Sequence, residues 1–394
     1  MVKTDFVISG AGPVGLMLAI GLSQKGFKVV LVERFKPAKN LKKVQNSFDG
    51  RVLALSHGSR LALEKLDLWH SLSDSVTDIK HVHVSQKGYL GITKLHAEEA
   101  SVPALGYSIQ SSELGQVLWK KAKQQSHITL MRPAILQTFT QDEQGVLVDI
   151  KVDGQLTQVA AKMIIGADGT DSQVRKVLKL PIQEKSYQAY GVIAQIETEL
   201  DPQGWSYERF TEEGPVALLP MHGRFHKAVL VCSDTQIEEV KALDDHAFIE
   251  LFAQKMGERF GRYVSVSSRM AYSLKETYVP QMVSGRAILM GNASHTQHPV
   301  AAQGLNLGIR DIDEFLTGLV DSKALDNQTF LHQYAQSRRV DHEKVMGLTD
   351  NLIHIFQHTS PVVGHLRGLG LMAMQAMPSL RKRFTAFAMG GKRA

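Results

Sequence analysis

Residues 5–33 constrain the fold more than any other stretch of the chain. Asp5 to Ser9 reads as a short strand, and Gly10-Ala11-Gly12-Pro13-Val14-Gly15 as a turn. Leu16 to Gln24 reads as an apolar helix closed by Gly26, and Lys28 to Val32 as a second strand ending in Glu33. Together they form a βαβ unit. Gly10 permits the tight turn, Gly12 lets a pyrophosphate approach the backbone, and Gly15 lets the helix pack closely on the strand. Glu33 is placed to bind a ribose hydroxyl. The unit predicts a dinucleotide site without choosing between a nicotinamide and a flavin.

Two later stretches add to it. The apolar run Met163-Ile164-Ile165 leads into Gly166-Ala167-Asp168-Gly169, which puts Asp168 at a strand's C-terminal end, where open α/β sheets bind ligands. The run Ala287 to Met290 leads into GNASHTQHPVAAQGLNLGIRD at 291–311, where Leu305, Leu307, Ile309 and Ile312 have helical spacing. A small-residue turn at a helix start presents free backbone N–H groups, suited to something negative or electron-rich. Arg51 opens a stretch, Val52 to Leu72, that reads as helical, and is a candidate phosphate contact. Residues 79–96 read as strands, with His81 and His83 on one solvent-facing side. Residues 187–232 read as an antiparallel sheet inserted into the nucleotide-binding part. The chain beyond 311 reads as largely helical.

The 394 residues are enough for two or three cores, and 43% apolar with 21% charged residues is ordinary for a globular protein. Cys232 is the single cysteine, so no disulfide forms within the chain, which fits a reducing cytoplasm. The N-terminus goes straight into strand and glycine turn without a signal-peptide pattern, and no apolar run is long enough to span a bilayer. The net charge of +6 suits an anionic surface or cosubstrate. The basic residues lack interleaved aromatics, which argues against nucleic acid.

GxGxxG with Glu33, the GADG element and the GNA…HP…QG stretch stand in the order of the FAD-dependent aromatic hydroxylases of the para-hydroxybenzoate hydroxylase type, which the chain resembles. FDGR at 48–51, HVSQKG at 83–88, ERFTEEGPVALLPM at 208–221 and YAQSRRVDHEKVMGLTDNLIHIF at 334–356 resemble the ubiquinone-biosynthesis branch of that family. The resemblance implies an α/β fold with an α+β insert. A Rossmann-like FAD-binding domain would occupy 1–75, 100–180 and 280–345, and an interleaved antiparallel-sheet substrate domain 76–99 and 181–279. Residues 346–394 would form a C-terminal helical segment. It also implies an NADPH- or NADH-using monooxygenase that hydroxylates a prenylated methoxyphenol through a flavin C4a-hydroperoxide. Carried over residue by residue, the FAD site would comprise Gly10, Gly12, Pro13, Val14, Gly15, Glu33, Arg34, Arg51, Asp168, Gly291, Asn292, Gln303, Gly304, Leu305 and Asn306, with His298 and Pro299 beside the ring as catalytic candidates. The apolar face of the substrate pocket would include Phe210, Leu218, Leu219 and Met221. Implied partners are the prenylated phenol, O2, other ubiquinone-biosynthesis proteins, and the inner face of the cell membrane, aided by the basic C-terminal segment. Alternatives are another ring-hydroxylating or prenyl-reducing FAD oxidoreductase, or a flavoprotein scaffold. A halogenase is disfavoured because Trp69, Trp119 and Trp205 are isolated.

Two positions depart from the family pattern: Asn292, where many relatives carry Asp, and Ala302, where a glycine usually precedes Gln-Gly. If residue 302 requires positive φ, alanine costs about 1 kcal/mol there. Ala302→Gly is therefore expected to change FAD affinity or the leakage of reducing equivalents to hydrogen peroxide, measured by cofactor titration and a peroxide assay.

Overall fold

The computed structural model describes residues 1–36, 51–297, 303–321, 325, 328–357 and 360–390. Its centre is a six-stranded sheet in the order Val283–Ser284, Ala287–Leu289, Met163–Gly166, Phe6–Ser9, Val29–Val32 and Ile128–Met131. All neighbours run parallel except Val283–Ser284 against Ala287–Leu289. The inner strands are short, apolar and buried on both faces, as a covered parallel sheet requires.

Strand alternation sends odd and even residues into separate cores. Phe6, Ile8, Leu31, Ile165 and Ile288 pack with Leu16, Leu18 and Ile20 of helix Pro13–Gln24 and with Ile312 and Phe315 of helix Gln303–Gly318. Val7, Val30, Ile164 and Leu289 face the other way, onto Phe139, Val148, Ile150 and Val159. Those belong to a four-stranded sheet of Val2–Lys3, Gln155–Ala161, Val146–Val152 and Ala134–Gln141.

A large third sheet runs in the order His295–Thr296, Met270–Tyr278, Gln183–Thr198, Phe225–Ser233, Gly214–Pro220, Trp205–Thr211, His81–Gln86 and Ile92–His96, with Tyr263–Val266 also paired to Gln183–Thr198. It is antiparallel except where Trp205–Thr211 runs parallel to His81–Gln86. One face is core: Val192, Ala194, Ile196, Leu218, Ala228 and Leu230 pack on Phe248, Phe252 and Met256 of helix Asp245–Met256. On the other face Ile193, Gln195, Ala217, Leu219, Lys227 and Val229 are only half-buried.

The structure corrects three expectations. Val52 to Leu72 does not begin as helix. Val52–Ser56 is a strand paired with Gly106–Gln110, and the helix is His57–Lys65, capped by Ser56, whose hydroxyl accepts the Ser59 N–H. A short apolar run does not reveal a ladder partner some fifty positions away. His83 is buried, not solvent-facing. Its ring lies 5.0 Å from the Tyr207 ring across the parallel pairing, and burial lowers its pKa to about 4. Leu218 belongs to the helix-covered core, which leaves Leu219 on the open face.

Candidate functional site

The C-terminal ends of the parallel strands open into a cavity of about 630 Å³. The sheet order places Glu33 and Met290 at the ends of strands three positions apart, on either side of the glycine turn. Three strand spacings make the cleft about 14 Å wide along the sheet edge.

The glycine turn is shaped by close backbone approaches. Gly10 has φ +101°, and a Cβ there would overlap the Ala167 carbonyl. A Cβ on Gly15 would overlap the Gly10 carbonyl. The Gly10 N–H donates to Val32 O at 2.8 Å, which pins the turn to the next strand. Helix Pro13–Gln24 starts at Gly12 with no side-chain cap, so its first N–H groups and its dipole serve the cavity.

Of the expected site residues, Gly10, Gly12, Pro13, Val14, Glu33, Arg34, Arg51, Asp168, Asn292, Gly304 and Leu305 line this cavity. Glu33 does so while supporting the turn: its carboxylate accepts Ala11 N–H at 3.0 Å and Phe35 N–H at 2.9 Å. Two lone-pair positions remain for a ribose. Asp168 Oδ2 accepts from the Ser9 hydroxyl at 3.0 Å and Gln173 N–H at 2.9 Å. Its Oδ1 is buried and without a partner among the described residues.

Gly15, Gly291, Gln303 and Asn306 stand behind the cavity. Gly291, at φ +57°, and Gly308 make room for Val14. The Gln303 amide donates to Ala388 O at 3.4 Å. Asn306 accepts from Ser56 N–H at 2.8 Å and the Ser59 hydroxyl at 2.7 Å, and donates to Ala54 O at 3.0 Å. These side chains fix the start of helix Gln303–Gly318, whose Gly304 and Leu305 reach the cavity. His298, Pro299 and Ala302 lie outside the described residues.

Gln297, within the 291–306 stretch expected at the flavin, also lines the cavity, as do Ile193 and Lys227, which sequence reasoning missed. The Gln297 amide is buried with neither end bonded among the described residues. Unpaired buried polar atoms are costly, so Asp168 Oδ1 and Gln297 mark places where a polar ligand completes the site. Lys227 carried one signal, a cation inside the apolar strand Phe225–Ser233.

Behind the 291–297 loop sits a buried charge cluster. Asp311 Oδ1 accepts from Arg338 Nε at 2.7 Å and lies 2.8 Å from His342 Nε2, and Asp311 Oδ2 accepts Gly291 N–H at 3.5 Å. Burial alone would raise the Asp311 carboxyl, but His342 and Arg338 outweigh it and hold it far below the usual carboxylate range. His295, 3.9 Å from Asp311 Oδ2, has its pKa pushed down to about 3, first by burial and then by His342, so it stays neutral. Ser294 Oγ lies 2.9 Å from its Nδ1. The cluster ties the loop to helices Gln303–Gly318 and Gln328–Gln357.

A family model described as an FAD binding domain matches residues 3–349. The chain is 30% identical over 390 residues to the ubiquinone hydroxylase UbiL of Rhodospirillum rubrum, covering 98% of this chain and 89% of that protein. It is 28% identical over 391 residues to the 3-demethoxyubiquinol 3-hydroxylase of Escherichia coli, covering 98% of each. Among solved structures, the p-nitrophenol 4-monooxygenase of Pseudomonas putida superposes with a TM-score of 0.80 at 15% identity over 100% of both chains, a likeness of fold.

Asp311→Asn removes one of the two carboxylates paired with buried Arg338, leaving Asp341 at 2.7 Å. It is expected to cost about 3 kcal/mol of stability and to weaken FAD retention, read by chemical denaturation and by flavin absorbance after gel filtration.

Proposed function

The chain belongs to the FAD-binding-domain family and is a flavin-dependent monooxygenase, and from that premise we propose that it hydroxylates the ring of a prenylated methoxyphenol in ubiquinone biosynthesis, with NADPH or NADH as electron donor. The observation that carries the reading is the cavity of about 630 Å³ between the glycine turn and the half-buried face of the large sheet. On this reading residues 1–75, 100–180 and 280–345 are the cofactor part, and 76–99 and 181–279 the substrate part.

The residues fit the cofactor. The uncapped helix start at Gly12 suits a pyrophosphate, and the free acceptor positions of Glu33 suit a ribose. The orphaned Asp168 Oδ1 and Gln297 amide, with Asn292 on the cavity wall, suit further hydroxyl and amide groups. Bound FAD supplies the redox chemistry, taking hydride from the nicotinamide and activating O2 for transfer of one oxygen atom to an electron-rich ring. Gly304 and Leu305, at the start of helix Gln303–Gly318, present backbone N–H groups and a positive dipole end toward negative charge developing in the cleft.

A second cavity of about 270 Å³ adjoins the first through Val52 and is lined by Gln195, Met221, Thr77, Ser108 and Phe225. Leu219, in register with Lys227, lies on the same open face, and Met221 lines the second cavity, so both remain candidate contacts for the substrate. Phe210 is buried and lines neither cavity.

A prenylated substrate lives in a bilayer, and the reading includes peripheral attachment to it. No helix among the described residues is long and apolar enough to cross a membrane. Helix Pro361–Ala376 rests on the hairpin of His81–Gln86 and Ile92–His96: Thr93 hydroxyl donates to Leu371 O at 2.8 Å, and Gly91 and Gly368 approach so closely that neither has room for a Cβ. Val362, Leu366, Leu369 and Met372 form an exposed stripe on that helix, and Leu90, 86% exposed, adjoins it at Gly368. Residues 361–394 contain no Asp or Glu. Apolar stripe and basic charge together suit an anionic lipid surface. The basic segment expected to serve this role contributes less than its composition suggests, because Arg381 is buried and paired with Glu99 at 2.7 Å.

NAD(P)H oxidation by the FAD-loaded chain is expected to rise several-fold with a prenylated methoxyphenol, yielding a product heavier by one oxygen atom in mass spectrometry. Oxidation that no phenol stimulates sinks the assignment. Leu366→Glu with Leu369→Glu is expected to lower co-sedimentation with anionic vesicles at least about tenfold; unchanged co-sedimentation removes this face from the membrane.

A further inference from the structure

We propose that Lys227 binds the ring oxygen of the phenolic substrate as its anion and so makes the ring reactive. This rests on the substrate class assigned above. In the step, the phenol O–H bond breaks, the proton leaves to solvent water and the electron pair stays on oxygen. Lys227 remains an ammonium, and nothing is oxidised or reduced. The phenolate then pushes electron density into the ring carbons that accept oxygen.

Position is the first argument. Lys227 stands in strand Phe225–Ser233 between buried His226 and Ala228, on the sheet face that is half-buried. It is opposite Gln195 on one neighbouring strand and Leu219 on the other. Its side chain lines the cofactor cavity, while Gln195 lines the smaller one. Its Nζ donates to Val52 O at 2.7 Å, and Val52 lines both. The ammonium therefore sits at the boundary of the two cavities, where a ring entering from the smaller one meets the cleft.

Valence and charge are the second. One N–H goes to Val52, and an ammonium has three. No carboxylate pairs with Lys227 among the described residues. The acids lining the cavity are engaged elsewhere: Glu33 with Ala11 and Phe35, Asp168 with Ser9 and Gln173, and Asp171 with Lys176 at 2.6 Å. The charge of Arg51, the residue before Val52, acts on Lys227 as well. Burial, then Arg51, pushes the Lys227 pKa down to about 8. It is still a cation near neutrality, and a bound anion relieves the cost of keeping it so.

The test uses the FAD-loaded chain without nicotinamide and a methoxyphenol carrying one prenyl unit, with phenolate absorbance followed from neutral to alkaline pH. The native protein is expected to raise the bound phenolate fraction near neutrality at least about tenfold over the free phenol. Lys227→Arg keeps most of that gain. Lys227→Gln, which keeps an N–H donor without the charge, loses it with FAD content unchanged. In turnover, kcat/KM falls as pH rises through about 8, where free Lys227 loses its proton, and that limb is absent in Lys227→Arg. Arg51 is the charged neighbour acting on Lys227, and Arg34, Lys176, Glu33, Asp168 and Asp171 are the other charged groups lining the cavity. Ionisation by Lys227→Gln equal to native, or native binding of the phenol without ionisation, overturns the proposal. If Lys227→Gln loses FAD, an FAD-loaded Lys227→Arg that fails to ionise the phenol overturns it equally. A native chain that holds FAD yet binds no prenylated phenol overturns the substrate class instead.

Discussion

A buried carboxylate, Asp311, holds the working end of the molecule together. Removing a charge from water costs several kcal/mol unless partners replace the lost hydration. Asp311 has them from three directions: Arg338 and His342 on helix Gln328–Gln357, and the Gly291 N–H on the loop after strand Ala287–Leu289. Asp311 itself is on helix Gln303–Gly318. One anion thus joins the sheet, the helix whose start faces the cleft, and the long helix behind both. His295, Asp311 and His342 also lie close enough to suggest metal ligands. Arg338 already supplies a positive charge to Asp311 at 2.7 Å.

The cleft follows from that anchoring. On the side of the parallel sheet, Gly10 and Gly15 bring turn, helix and strand closer than any side chain allows. Val14 fills the room left by Gly291 and Gly308, which ties the first glycine turn to the loop on the far side of the sheet. Across the cavity, the large sheet buries one face under helix Asp245–Met256 and keeps the other half-open. Strand His295–Thr296 joins that sheet through Tyr278 and Thr277, so the loop that borders the cavity is also a strand of the large sheet.

The βαβ unit and the GADG element were legible because each pairs a local backbone pattern with a ligand-binding end. Phe6–Ser9 and Val29–Val32 stand where the glycine spacing put them, and the helix between them begins at Pro13, inside the stretch read as turn, instead of at Leu16. Long-range partners were not legible. Val52–Ser56 is a strand because Gly106–Gln110 lies beside it. His83 is buried because a parallel neighbour brings Tyr207 over it. Arg381 reads as a surface cation in a basic tail until Glu99 meets it.

By itself the sequence determined the family, the cofactor and the glycine turns at the strand ends, because glycine requirements, apolar periodicity and strand-end acids act within a few residues of one another. The tertiary structure alone decided which side chains face the cleft. Gln303 and Asn306 belong to the loop motif yet spend their side chains on Ala388 and the Ser56–Ser59 cap. Lys227, in no motif, reaches the cavity. Which face of a strand is open depends on what packs against it, and here that was settled by a helix at 245–256 and a carbonyl at Val52, neither of them adjacent in the chain.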